Sequence, residues 1–297
     1  MRSMNIGGQA VIEGVMMRSP NAFAVAVRRP DGQIAVWKES IRSLTGKAVV
    51  KWPVIRGVPA LIDALLLGIR ALNFSAKEAL GEDAKDKGNN GFLMGLTILA
   101  AFGIGIFIFL ILPLFITWLL QMPFPVIERS SVLFNAVDGI LRVIIFLGYV
   151  IAISFLKDIK RVFQYHGAEH KAVYAFEAGE EVDVANAKKY SILHPRCGTS
   201  FLLMVMLISI ITFSFIPKEW ELLYKVLARI ILIPVIAGIA YEFIKISSKK
   251  MHHRFIRYLI LPGLWLQRLT TREPTDEQIE VAIMALKEAV AIEPVIN

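Results

Sequence analysis

The chain has 297 residues, of which 56% are hydrophobic, and its mean hydropathy is +0.58. This composition excludes an ordinary soluble enzyme and indicates several membrane-spanning helices. The net charge of +8 is explained by basic residues that flank membrane spans, where anionic lipid headgroups attract them, rather than by nucleic-acid binding.

Residues 1–91 are predicted to form a cytoplasmic segment of mixed α+β structure. Residues 23–29 and 34–38 have the pattern of short strands, and the Pro-Asp-Gly-Gln sequence between them is typical of a hairpin turn. Residues 59–80 begin with a proline and carry apolar residues at helical spacing, which predicts a helix. Its charged residues favour an amphipathic helix lying along the membrane over a transmembrane span; they are Asp63, Arg70 and Lys77.

Residues 92–246 are predicted to form a membrane domain with four transmembrane helices. Each span is apolar and long enough to cross a hydrocarbon layer of about 30 Å; the spans are expected at residues 92–120, 139–156, 199–216 and 226–246. Asp138 and Arg142 are four residues apart and are interpreted as an ion pair that stabilises the second of these helices. The predicted fold class is therefore a mainly α, polytopic membrane protein with a small α+β N-terminal segment.

Residues 247–297 are predicted to form an interfacial segment followed by a cytoplasmic helix. Residues 258–267 are apolar but contain Pro262, and they are too few to cross the bilayer. The sequence Thr-Asp-Glu-Gln at residues 275–278 is a capping box, and the apolar stripe after it predicts a C-terminal helix that packs on the cytoplasmic part.

The distribution of Lys and Arg predicts the orientation in the membrane. Residues 1–91, the loop 157–197 and the tail from residue 245 together carry 28 of these residues, whereas the loops 121–131 and 217–225 carry 3. Positively charged loops remain in the cytoplasm. Both termini and the loop 157–198 are therefore expected on the cytoplasmic side.

The loop 157–198 carries the strongest functional signal. It contains three of the five histidines and the single cysteine: His166, His170, His194 and Cys197. Imidazole and thiolate groups bind zinc, and two histidines four apart on a helix can hold one ion together. The sequence therefore predicts a site for Zn²⁺ or another divalent transition metal, although His166 and His170 are also compatible with simple interfacial histidines. Cys197 is compatible with a ligand, a reactive thiol or an inert buried side chain.

Three carboxylates are candidate members of the same site. Glu169 completes an H-x-x-E-H pattern with the first two histidines and is the predicted catalytic base. Glu242 lies about one turn inside the cytoplasmic end of the last span, where a carboxylate needs a partner such as a metal, a histidine or Lys245. Glu13 lies in an otherwise uncharged stretch and either reaches the same site or is solvated.

Three motifs resemble the signatures of the DUF1385 family, the YqhQ-like membrane proteins. They are GGQAVIEGVMMR at residues 7–18, YHGAEHK at 165–171 and HPRCGT at 194–199, followed by Arg-Glu-Pro at 272–274. The motifs occur in order over nearly the whole chain. The resemblance implies a multi-pass protein of the bacterial cytoplasmic membrane that is described as a predicted metal-dependent enzyme, and it implies no particular reaction or substrate.

Two functions are compatible with these residues. The first is a membrane-embedded, metal-dependent hydrolase that acts at the cytoplasmic interface on a lipid or membrane-linked substrate, with Glu169 taking a proton from water. The second is a non-catalytic scaffold or accessory protein in which a structural zinc is closed by four ligands. A transporter or channel ranks last because the spans contain few polar residues.

Overall fold

The computed structural model describes residues 4, 6–41, 52–81, 91–217, 219–249 and 254–293. Its four strands form one antiparallel sheet in chain order: β1 (Gly7–Val11), β2 (Gly14–Arg18), β3 (Ala22–Arg28) and β4 (Ile34–Ser40). The helices are α1 (Gly57–Leu80), α2 (Gly91–Ile106), α3 (Leu112–Leu120), α4 (Ser131–Ser154), α5 (Lys157–Ala178), α6 (Val184–Lys188), α7 (Gly198–Phe213), α8 (Leu222–Lys249), α9 (Arg254–Thr270) and α10 (Asp276–Ala291). A π-helical turn at Phe107–Ile111 joins α2 to α3.

The predicted hairpin is confirmed as β3 and β4, and a second hairpin precedes it. Strands β1 and β2 pair from Gly7↔Arg18 to Val11↔Gly14, so that only Ile12 and Glu13 form the turn. Glu13 has a φ of 51°, a left-handed conformation that a tight hairpin turn requires and that glycine or asparagine usually supplies.

The sheet is covered on both faces by helices. Alternate residues of β2 and β3, such as Val15 and Ala24, pack on α5 and α10, whereas their neighbours, such as Met16 and Val25, pack on Leu67 of α1. This alternation follows from the two-residue period of a strand. We call this unit, formed by residues 6–41, α1, α5 and α10, the α/β module. It joins four separate parts of the sequence in one packed structure.

Within the described ranges, four helices are long and apolar enough to cross a membrane: Gly57–Leu80, Gly95–Leu120, Ser131–Ser154 and Leu222–Ser247. Three of them coincide with predicted spans. The other predicted span, at residues 199–216, is the 16-residue helix α7, which is about 24 Å long. Helix α1 also meets the criteria despite its charges, with the lowest mean hydropathy of the four, 1.5.

The interfacial segment and the C-terminal helix are both helical. Residues 258–267 lie within α9, which continues through Pro262. At Gly263 α9 touches the start of α7 so closely that an added Cβ would lie 2.5 Å from Ser200 Oγ. The capping box is confirmed, because Thr275 and Gln278 each bond the backbone N–H of the other at the start of α10.

Candidate metal site

The first two predicted ligands lie on one face of α5. The helix begins after the extended residue Leu156 and ends at Gly179, which adopts the left-handed conformation common at helix C-termini. His166 and His170 are therefore one turn apart, and Cys197 approaches them from the N-cap position of α7. The three available ligand atoms all lie within 4.8 Å of one another, so they could hold one ion.

Backbone carbonyls fix the orientation of both imidazole rings. His166 Nδ1 lies 2.8 Å from the carbonyl oxygen of Thr270, and His170 Nδ1 lies 2.5 Å from that of Ile192. Because a carbonyl oxygen can only accept, each Nδ1 carries the proton and each Nε2 presents its lone pair. His166 Nε2 is 3.1 Å from Cys197 Sγ. Histidines that bind metals are commonly held in this way, and the donor set therefore fits a metal ion.

His194 lies beside this group rather than in it. Its Nδ1 accepts the Arg196 backbone N–H at 3.3 Å, and its Nε2 lies 3.5 Å from Glu177 Oε2. The backbone of His194 is held by the Gln267 side chain through two hydrogen bonds of 2.8 Å. Glu177 thus provides the alternative partner that the sequence analysis did not identify for this histidine.

The side chain of Glu169 extends from α5 toward β1 and contacts the backbone at Gly8. A Cβ added at Gly8 would come within 3.1 Å of Glu169 Cδ and within 2.4 Å of the Met16 carbonyl oxygen, so only glycine fits there. Burial raises the pKa of Glu169, although the nearby His166 and a hydrogen bond with the Gly8 backbone lower it in part. This close contact explains why Gly8 of the first motif accompanies Glu169 of the histidine motif.

The other two candidate carboxylates are held by arginines. Glu13 forms a two-point ion pair with Arg161 and accepts a hydrogen bond from Tyr165 at 3.4 Å. Glu242 forms a two-point ion pair with Arg56, with both distances 2.5 Å. Among the described residues, neither carboxylate joins the group of metal-ligand atoms.

Backbone contacts supply parts of the site that the sequence analysis missed. At Gly167 an added Cβ would lie 2.2 Å from the Arg272 carbonyl oxygen, so this glycine lets α5 touch the segment after α9. The neighbouring Glu273 forms an ion pair of 2.7 Å with Lys171. The contacts of Thr270 and Ile192 are made by backbone carbonyls, which every residue has, so the sequence could not predict them. Gly167 and Lys171, in contrast, belong to the YHGAEHK motif and could be recognised there.

Comparisons with known proteins agree with the motifs. The model of the family described as "Protein of unknown function (DUF1385)" matches residues 52–292. A protein of Bacillus subtilis strain 168, named "Uncharacterized protein YqhQ", is 35% identical over 299 aligned residues, which cover 97% of this chain and 92% of the relative. No solved structure matches the chain. The chain belongs to the DUF1385 family.

Proposed function

We propose that this protein is a zinc-dependent hydrolase that acts on a lipid or membrane-linked substrate at the cytoplasmic face of the membrane. The number of converging ligands is the observation that carries this proposal. His166, His170 and Cys197 converge, while His194 faces Glu177. Three protein ligands with a fourth position left for water are typical of catalytic zinc, whereas structural zinc usually has four. A thiolate ligand favours zinc over harder divalent ions.

The residues around the group have distinct parts in the proposed reaction. When bound, zinc supplies the Lewis acidity that lowers the pKa of water. The carbonyl groups of Thr270 and Ile192 keep the two imidazole lone pairs directed at the ion. Glu169, close enough to His166 for their charges to interact, accepts the proton of the attacking water and returns it to the leaving group.

A cavity of about 890 Å³ at the junction of the sheet and the membrane helices supports an amphiphilic substrate. It lies between the sheet and α1, α7 and α8, where the α/β module meets the membrane helices. Its lining includes Gly8, which covers Glu169, and Phe201, which follows Cys197 by one turn of α7. Polar residues such as Arg18 and apolar residues such as Leu61 both line it, which suits a substrate with a polar and an apolar part.

The alternative function is a scaffold or accessory protein with a structural zinc. The position of the group favours it, because the ligands come from α5 and α7 and the His166 ring is held by the end of α9. An ion would tie the α/β module to the membrane helices. The ring centroid of His194 is 5.6 Å from that of His170, so a rotation of its side chain would bring a fourth ligand near the ion.

X-ray absorption spectroscopy of the purified protein tests the two functions against each other. We expect one zinc per chain with two imidazole nitrogens, one sulfur and one light oxygen ligand in its first coordination sphere. The reason is that three ligand side chains converge among the residues that the structure describes. Three imidazole nitrogens and one sulfur would instead support the structural site and contradict the hydrolase.

The α/β module also supports a specific topology. Its sheet, α5 and α10 share one core, so they lie on the same side of the membrane. The chain must then cross an even number of times between β4 and α5 and again between α5 and α10. We infer that α2 with α3, and α4, form the first pair, that α7 and α8 form the second, and that α1 does not cross. The charge distribution of 28 against 3 supports a cytoplasmic location for both termini and the α/β module.

Reporter fusions test this topology. Fusions inserted after residues 80, 125, 180, 221 and 297 are expected to report cytoplasm, outside, cytoplasm, outside and cytoplasm. The fusion after residue 80 is the sharpest test, since an outside signal there would make α1 a crossing helix. An outside signal after residue 180 would place the metal site in the other compartment and contradict the proposed location.

A further inference from the structure

A cluster of buried polar side chains lies among the membrane helices, apart from the metal site. Asp138 accepts hydrogen bonds from Arg142 at 2.6 Å, as the sequence predicted, and from Arg229 of α8 at 2.9 Å. Arg229 also donates to Asn135 at 2.9 Å, and Arg142 donates to Ser209 of α7 at 2.8 Å. All five side chains are buried. The cluster therefore links α4, α7 and α8.

The cluster has a net charge of +1, because two arginines face one aspartate. Arg142 and Arg229, 7% and 0% exposed, share the single carboxylate of Asp138. Both guanidinium groups lie 4.9 Å from the centre of the Phe213 ring, which offsets part of their charge. The buried Lys225 of α8 lies 4.6 Å from the centre of the Phe134 ring and, being a cation, does not neutralise this excess. An uncompensated charge within membrane helices is costly and marks a candidate functional site.

Two arginine N–H groups without hydrogen-bond partners also point to an anionic ligand. Within the described parts of the chain, the Nε atoms of Arg142 and Arg229 are buried and have no hydrogen-bond partner. Buried N–H groups of charged side chains are normally paired. An anionic oxygen beside Arg142 would satisfy both the charge and the N–H.

A groove of about 600 Å³ leads to Arg142. It lies between the α2–α3 helix, α7 and α8, and apart from Arg142 and Ser209 its lining is apolar. The π-helical turn at Phe107–Ile111 places Phe109 and Leu110 in the wall, and the following Pro113 explains this turn because proline has no N–H to donate. Such turns often occur at functional sites, and the volume is typical of a pocket for one small ligand.

We propose that this groove binds a long-chain carboxylic acid, with its carboxylate on Arg142 and its alkyl chain between α2 and α7. The carboxylate supplies the single negative charge that the cluster lacks, and the apolar wall accommodates the chain. Arg142 lies about 16 Å along α4 from Ser131, near the middle of this 24-residue candidate span. A fatty acid reaches that depth in its neutral form, whereas a phospholipid headgroup would have to leave the interface.

Binding of tritiated palmitate to the purified full-length protein in phosphatidylcholine nanodiscs tests the proposal. Gly105 lines the groove and has open space beside it, so Gly105→Leu fills the groove without touching the charged cluster. Gly103 also has open space beside it but does not line the groove, so Gly103→Leu is the matched control. We expect Gly105→Leu to weaken palmitate binding by at least about tenfold, and Gly103→Leu to leave it within about twofold.

Two further comparisons test recognition of the carboxylate. Arg142→Gln should weaken binding by at least about tenfold and Arg142→Lys by less, because lysine keeps the charge; the exposed Arg129 provides the control Arg129→Gln. Hexadecanol should compete poorly with palmitate. No saturable palmitate binding, equal binding by Gly105→Leu and Gly103→Leu, or equal competition by hexadecanol would overturn the proposal. Displacement of palmitate by phosphatidylglycerol in the nanodisc would assign the groove to a phospholipid headgroup and also overturn it.

Discussion

Replacing His166 or His170 by alanine is expected to lower bound zinc from about one ion per chain to about one tenth of that or less. Each substitution removes one of the three ligands that converge in the described part of the chain, and the remaining nitrogen and sulfur cannot hold zinc against a chelator. The zinc content of the purified variants, measured by mass spectrometry after dialysis against a weak chelator, checks this expectation. The midpoint temperature of thermal unfolding should fall as well, because an ion that binds only the folded state, here through α5 and α7, stabilises that state, and weaker binding stabilises it less.

His194→Ala is the matched control for the metal prediction. The His194 side chain faces Glu177 and Tyr174, so its loss should leave zinc near one ion per chain while removing a buried imidazole of similar size. Equal zinc loss in His194→Ala would mean that the site has four protein ligands and would favour the structural role. Wild-type zinc content in a His166→Ala, His170→Ala double variant would reject both histidines as ligands.

The part of the metal group that lies within one helix could be predicted from the sequence. His166 and His170 are four residues apart on a helix, so their common face follows from the helical period alone. The place of His194 was not predictable, because it depends on Glu177, which another part of the chain positions against it. The same limit applies to Glu242, whose partner Arg56 is 186 residues away in the sequence. Contacts over such distances depend on tertiary packing.

The fold shows a similar division. The β3–β4 hairpin carries a proline and a glycine in its turn and was predicted, whereas the β1–β2 turn consists of Ile12 and Glu13, residues that rarely form tight turns. Composition also cannot rank α1 against α7 as membrane spans, because α1 is longer and α7 is more apolar. The core that the sheet shares with α5 and α10 supplies the parity argument from which we infer that α1 does not cross.

The membrane helices bring polar residues together in a way that their separate sequences do not show. Asp138 and Arg142 were visible as a pair at helical spacing, but Arg229 is 91 residues from Asp138. In the sequence, Arg229 resembles an isolated charged residue within an apolar stretch. The convergence of Asp138, Arg142 and Arg229 gives the membrane part a candidate ligand site, which the sequence analysis did not find.

Replacing Glu169 by glutamine is expected to abolish function while leaving the zinc and the fold intact. Glutamine has nearly the same shape and keeps an oxygen that can accept a hydrogen bond from the Gly8 backbone, but it cannot take up a proton. Loss of a general base lowers a rate by about 10²- to 10⁴-fold. The measurement is complementation of a strain that lacks the gene, at matched protein level, together with zinc content and thermal unfolding of the purified variant.

Glu13→Gln is the control for this experiment, because Glu13 is another candidate carboxylate that contacts α5 but is held by Arg161 outside the metal group. It is expected to complement, since it removes an ion pair and no proton acceptor. Complementation by Glu169→Gln at normal expression would contradict the hydrolase mechanism. The carboxylate of Glu169 would then serve only to pack β1 against α5, and a structural zinc that ties the α/β module to the membrane helices would explain the same cluster of His166, His170 and Cys197 without any reaction.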